Sequence, residues 1–417
     1  MPNRREFMLG MAAGGIGLSP VRLPAEWKAY SDPETGRKIR QLTSAPANNY
    51  PLYYFSPSVT ADNRYLVFHS ERGGWVELYR LDLSFGDIVQ LTDGRTRESG
   101  WAVWCEPHLR GLYNHLSALN VAKREVYYFQ EDQIRRVNLE SLADTMVREI
   151  SGRLSIGQSM FSPDGRHFAF IHTDREVYQK AFSDREALEN MGLFNQVGHQ
   201  QWRNSIHTTI GVIDTETLNY RDVIQLDFHV HHVLFADNNT LLVNHIKNQE
   251  GVWMVRLDGT GARPLRPPDP HGEIDHQVVT HCGVFYDVLG SDNGKTTNWL
   301  GRYDLTHHRF EEVRLPVDGY VHLGFDPAGR FVFFENHSDT HELMSLHFPF
   351  VVGRTRVQKL RMMARYPRGQ QRYHAHPFLS PDRQWLIYTE PIQGISQICM
   401  LDVRDLVDVD EYWDARS

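Results

Sequence analysis

The sequence predicts an all-β fold: a seven-bladed β-propeller closed by an N-terminal strand in its last blade. Three observations carry that prediction. A unit of apolar strand, turn with Pro, Asp or Gly, second apolar strand and third strand ending in aspartate recurs along the chain. Seven copies can be counted, one of them degenerate. The last copy stops after its third strand, and a stretch near the N-terminus matches the strand it lacks.

Residues 1–25 stand apart from the repeats. Arg4-Arg5 precede Phe7 and a short glycine-rich apolar stretch, "FMLGMAAGGIGLSP". The pattern predicts a twin-arginine export leader and so a periplasmic protein handed over folded. A disordered N-terminus on a cytoplasmic protein is the other reading. Residues 26–417 read as one propeller domain. Within them, "RKIRQLT" (37–43) resembles the "VQLTDG" that completes the first full blade, so it predicts the missing outer strand of the last. Such closure hides sheet edges.

The blades follow in order. The first is "FSPSVTADNRYLVFHSERGGWVELYRLDLSFGDIVQLT" (55–92). A degenerate second one, between 100 and 150, contains "EVYYFQEDQIRRVNLES". The third opens with "FSPDGRHFAFIH" and resumes with "TTIGVIDTETLNYRDVI". The interruption, 174–204, loses period-two alternation and predicts a helical insertion over one face, either shaping a cleft or serving as a support. The remaining four carry "FADNNTLLVNHIKNQEGVWMVRLDG", "VFYDVLGSDNGKTTNWLGRYDL", "FDPAGRFVFFENHSDTHELMSLHF" and "LSPDRQWLIYTEPIQGISQICMLDV". Each alternates β-branched and aromatic residues and turns at Asp-Gly or Asp-Asn, the chemistry of short paired strands. Four such strands at this period make a propeller blade.

Composition narrows the function. A formal charge of −8 and a pI near 6.3 over 417 residues argue against a nucleic-acid partner, which needs a basic footprint. No stretch resembles a transmembrane span. The three cysteines, Cys105, Cys282 and Cys399, are too far apart for a disulfide framework or zinc cluster and read as buried free thiols.

Histidines carry the functional signal. Four consecutive blades have them where inner strands begin: "HVHHVLF" (229–235), "EIDHQVVTH" (273–281), "GYVHLGF" (319–325) and "RYHAHPFL" (372–379). Inner strands favour Val, Ile, Phe and Ala, so four equivalent histidine positions are hard to explain as packing. In a propeller these positions converge at one mouth of the central channel. His374 and His376 flank one alanine; in an extended chain they would share a face, and imidazole is a common transition-metal ligand.

Here the residues resemble a known family. "QRYHAHPFLSPD", "YVHLGFDPAGRFVFFENHSD" and "IDHQVV" are similar to the matching blades of the oligogalacturonate lyases, seven-bladed propellers that cleave short α-1,4-linked galacturonate oligomers by β-elimination with manganese. The resemblance runs from about residue 30 to the last blade. It implies a Mn²⁺ or other divalent metal site at Gln371, His374, His376 and His322, and a catalytic base at His276. It also implies an oligogalacturonide or related uronate substrate. The C5 proton of a uronate is acidified when a cation neutralises the C6 carboxylate, and a neutral imidazole can then remove it, leaving a 4,5-unsaturated product. The protein's negative charge cannot steer such an anion, so attraction must be local. His231, His232 and His245 are candidate substrate contacts, whereas His281, His307 and His308 read as ordinary strand or turn residues. Tyr53-Tyr54 and Trp101/Trp104 read as sugar-stacking or as core. One departure stands out: the family's catalytic arginine aligns near Gly251, where this chain has none. Arg372 or an arginine of the insertion is then the candidate substitute. The competing reading is a non-catalytic propeller similar to the TolB-type periplasmic modules, which share the "FSPDG" motif and bind proteins.

Overall fold

The alternating apolar strands fold into seven antiparallel sheets, one for each expected blade. The structure is a computed structural model that describes residues 21–92, 111–112, 116–193, 202, 205–245, 251–267, 272–292, 295–315, 320–326, 329–336, 341–351, 355–364 and 371–407. The Arg4-Arg5 leader, Cys105, Trp101 and Trp104 lie outside the described residues.

Blade 1 runs from its inner strand Asn49–Pro51 through Tyr65–Ser70 and Glu77–Asp82 to Ile88–Gln90, and Arg22–Leu23 adds a fifth strand outside it. The propeller therefore takes in residues that the sequence reading leaves to the leader. Blade 2 is Ala118–Asn120, Glu125–Gln130, Gln133–Asn138 and Asp144–Glu149. Blade 3 is Arg153–Phe161, His167–Asp174, Thr208–Asp214 and Tyr220–Leu226. Blade 4 is Val230–Phe235, Thr240–His245, Gly251–Arg256 and Arg263–Pro264. Blade 5 is Glu273–Thr280, Gly283–Asp292, Lys295–Asp304 and Arg309–Arg314. Blade 6 is Tyr320–Phe325, Phe331–Asn336, Glu342–His347 and Arg356–Met362.

Blade 7 closes the ring as expected. Phe378–Leu379, Trp385–Ile392 and Ile395–Asp402 come from the C-terminal part, and Lys38–Gln41 completes the sheet by pairing Ile39 with Leu401 and Gln41 with Cys399. Lys28–Ser31 adds a further outer strand. The seam is also polar: Arg37 forks onto Asp405, and Arg361 of blade 6 bonds Glu390 and Asp32. Apolar clusters lie between neighbouring blades, including Leu42, Phe68 and Tyr79 against Ile387, Ile398 and Met400 where blade 7 meets blade 1. Burial between blades, not along a single core, holds such a ring together.

The insertion forms a helix over Arg175–Asn190. Tyr178, Ala181 and Arg185 fall on one helical face and are buried against blade 3, and Trp202 donates its indole N–H to the Ala181 carbonyl at 2.8 Å. Because Arg153, at the start of blade 3's inner strand, pairs with Asp174, the helix leaves from the end of the blade where inner strands begin. That is the end bearing the histidines. Cys399 is buried as expected, but Cys282 is exposed, because it lies in the two-residue turn between Thr280 and Gly283 rather than in a strand.

Candidate functional site

Each histidine-bearing inner strand departs from regular pairing at its histidine. Register breaks fall between Val230 and Val233, between Ile274 and Gln277, and between Val321 and Gly324. These bulges hold His231 and His232, His276, and His322. A bulge leaves a residue outside the ladder and re-aims its side chain. In this way the inner strands of blades 4, 5 and 6 bring their imidazoles side by side.

His374 and His376 reach the same place differently. They follow a 3₁₀ turn, Gln371–Tyr373, and precede the strand Phe378–Leu379, so the extended i, i+2 geometry expected from the sequence is not what aligns them. His376 takes φ 43° and His322 φ 52°. Left-handed backbone on a non-glycine residue typically costs on the order of 1–3 kcal/mol and persists where surroundings impose it. The two rings of blade 7 nevertheless stand nearly parallel, 19° apart in plane and 5.7 Å between centroids.

The result is a cluster. One ring nitrogen from each of His322, His374 and His376 lies within 4.8 Å of the others, and all three residues are buried. The His276 ring is 4.7 Å from His322, and His232 is 6.1 Å from His276. His231 continues the row, 6.0 Å from His232. Tyr53 and Tyr54 lie against them: Tyr53 packs on His376 at 4.9 Å, and Tyr54 packs on His322 and His276 at 5.5 and 5.8 Å. Both tyrosines are buried, so they pack as an apolar wall against the histidines.

Two carboxylates that the sequence reading missed support this row. Asp287, on the second strand of blade 5, is fully buried. Its Oδ2 lies 2.9 Å from His276 Nδ1, and its Oδ1 accepts the His276 backbone N–H at 2.6 Å. Glu335, on the second strand of blade 6, is also fully buried, with Oε1 2.5 Å from His322 Nδ1 and 3.1 Å from His374 Nδ1. Its Oε2 accepts the Ala375 N–H at 2.8 Å. Burial holds the His322 imidazole well below the usual histidine range, against the opposing pull of Glu335. A neutral imidazole is the ligand form.

The remaining expected positions divide. His232 Nδ1 lies 3.4 Å from Gln277 Oε1, within the row. The side chains of Gln371 and His245 lie outside the described residues, although their backbones place Gln371 in the turn before His374 and His245 at the end of blade 4's second strand. Arg372 is ion-paired with Glu71 of blade 1 at 3.1 Å. Gly251 takes φ 68°, and a Cβ there would meet Ile274 at 3.2 Å, so this position is shaped for glycine, in keeping with the departure noted in the sequence.

Comparisons with known proteins agree with this architecture. No family profile matches the chain. It is 19% identical over 408 residues to an oligogalacturonate lyase from Dickeya dadantii (strain 3937), covering 93% of this chain and 98% of that relative. An oligogalacturonate lyase structure from Vibrio parahaemolyticus superimposes with a TM-score of 0.75 at 17% identity, over 92% of this chain and 98% of that one. An oligogalacturonate lyase in complex with manganese gives the same TM-score at 16% identity, with the same coverage. What these structures share with this chain is the seven-bladed fold.

Proposed function

We propose that this protein is a metal-dependent lyase that cleaves short α-1,4-linked galacturonate oligomers by β-elimination, giving 4,5-unsaturated products. One observation carries the reading: three imidazoles able to share a cation stand beside a fourth, His276, that a buried carboxylate orients. The donor set fits a divalent transition metal, because neutral nitrogen ligands leave the ion its full charge and open positions for oxygen ligands. His322, His374 and His376 would hold it, with Gln371 as the further ligand the resemblance implies; Mn²⁺ is the proposed ion. When bound, such an ion supplies charge neutralisation at the substrate carboxylate, a contribution worth several kcal/mol in comparable sites.

The chain's own residues do the rest. Asp287 holds a proton on His276 Nδ1, leaving the Nε2 lone pair to take the C5 proton. The C4–O bond then breaks, the C5–H electron pair becomes the C4=C5 bond, and the departing oxygen takes a proton from the His276 imidazolium or from water. Tyr53 and Tyr54 pack buried rings against the histidines, and apolar surroundings of that kind strengthen the charge interactions beside them. His231 and His232 extend the row for hydroxyl or carboxylate contacts, and His245 and Arg372 remain candidates for substrate contact. In the same proposal, the Arg4-Arg5 leader sends the protein to the periplasm, which cell fractionation checks. The activity test is direct. Purified protein with oligogalacturonides and Mn²⁺ should develop the ultraviolet absorbance of a conjugated unsaturated uronate. A flat trace with several uronides, while elemental analysis shows metal bound, would refute the lyase reading.

A further inference from the structure

We propose that Glu335 is the positioning residue of the metal centre: its buried carboxylate takes the Nδ1–H of both His322 and His374 and so turns both Nε2 lone pairs to the cation. The inference rests on the metal reading under Proposed function and adds a residue to it. Oε1 lies 2.5 Å from one Nδ1 and 3.1 Å from the other, and the two Nδ1 atoms are 3.2 Å apart. A neutral imidazole carries its proton on one nitrogen only. A bare Nδ1 here would set its lone pair against those of a carboxylate with no exposed surface, which is costly away from water. With both Nδ1 atoms protonated, both rings donate to Oε1 and the repulsion disappears. The tautomer of two ligands is thereby set by one side chain.

The second oxygen explains why this group is a carboxylate. Oε2 accepts the Ala375 N–H, the peptide between His374 and His376. A glutamine could accept at one end only. Its NH₂ would face either the Ala375 N–H or the two Nδ1–H groups, donor against donor. Glu335 and His322 belong to blade 6, and His374 and Ala375 to blade 7. The carboxylate therefore also fixes the spacing of two blades that each bear ligands.

Calorimetric titration of Mn²⁺ into the metal-free full-length protein and its E335Q variant tests this, alongside thermal melting of both metal-free proteins. Outer partners of metal-bound histidine typically contribute about 10–100-fold to affinity, so E335Q should bind Mn²⁺ weaker by that factor. ¹⁵N ring spectra of the unsubstituted metal-free protein should show Nδ1–H tautomers for His322 and His374, assigned by single substitution. An unsubstituted protein that binds no divalent ion would remove the metal reading and this inference together. Normal binding by the unsubstituted protein with equal binding by E335Q would remove the inference alone, as would Nε2–H tautomers at both rings. A purely structural Glu335 predicts a lower melting temperature with unchanged Mn²⁺ affinity. If E335Q does not fold, the tautomer spectra decide.

Discussion

Exchange of Asp287 for asparagine should convert His276 from a base into a bystander without unfolding the blade. The buried carboxylate accepts twice from one residue, at 2.6 Å from the backbone N–H and at 2.9 Å on the Nδ1 side. An amide of the same shape has one acceptor. Its oxygen will stay on the backbone N–H, because the reverse orientation sets two donors face to face, at about 1–3 kcal/mol for each unsatisfied buried group. The NH₂ then points at Nδ1 and favours the tautomer that carries its proton on Nε2, where the base needs a lone pair. At 1.4 kcal/mol per factor of ten, that preference depletes the active tautomer roughly 5- to 150-fold. Loss of the negative charge, which stabilises the imidazolium as it forms, takes turnover lower still. The expected result is a fall in kcat of at least about 100-fold, read from the ultraviolet absorbance of the product, with Mn²⁺ affinity within a few-fold of the unsubstituted protein. A D287N protein with near-normal turnover would refute the assignment of His276 as the base.

The other predictions concern metal, acid and closure. H374A should abolish stoichiometric Mn²⁺ uptake in calorimetry, and chelation should lower the melting temperature, since a ligand at 100 times its Kd stabilises the native state by about 2.7 kcal/mol. Acid should destabilise the protein below pH 6.5. His172, buried beside Asp222, is held down to about 4, and His69 to about 3, in each case chiefly by burial. The folded state therefore refuses protons that the unfolded chain accepts. Stability is complete above the unfolded pKa near 6.5 and falls as pH drops toward the folded values, by on the order of 3 kcal/mol for His172, measurable by denaturant titration at pH 7 and pH 4.5. Truncation of the closing strand at Ile39 to alanine should cost about 2–4 kcal/mol in the same assay, because that side chain is only 2% exposed and sits in the cluster between blades 6 and 7.

The fold was legible in the sequence because its signals are local. Period-two alternation, Asp-Gly turns and a last repeat short by one strand each follow from a few adjacent residues, and "RKIRQLT" does pair with the final strand. The histidine row was legible in outline for the same reason: equivalent positions of successive repeats converge around an axis. Its supports were not. Asp287 lies in "VFYDVLG" and Glu335 in "FVFFENH", each a carboxylate directly after an apolar or aromatic run, and only the bulge across the ladder brings a histidine against it. A carboxylate at the end of such a run was the available signal. The left-handed backbone at His322 and His376 could not be read from residue type, since histidine is enriched there among non-glycine residues yet adopts it at only a minority of positions. The core reading of Tyr53 and Tyr54 agrees with their burial, but their packing against histidines of blades 4 to 7 depends on long-range closure that no local pattern carries.

The centre itself can be seen directly. A crystal of the protein grown with Mn²⁺, with diffraction recorded at the manganese absorption edge, should give one strong anomalous peak among His322, His374 and His376, within bonding distance of all three. A peak bound elsewhere, or none in that cluster at full Mn²⁺ saturation, would contradict the account.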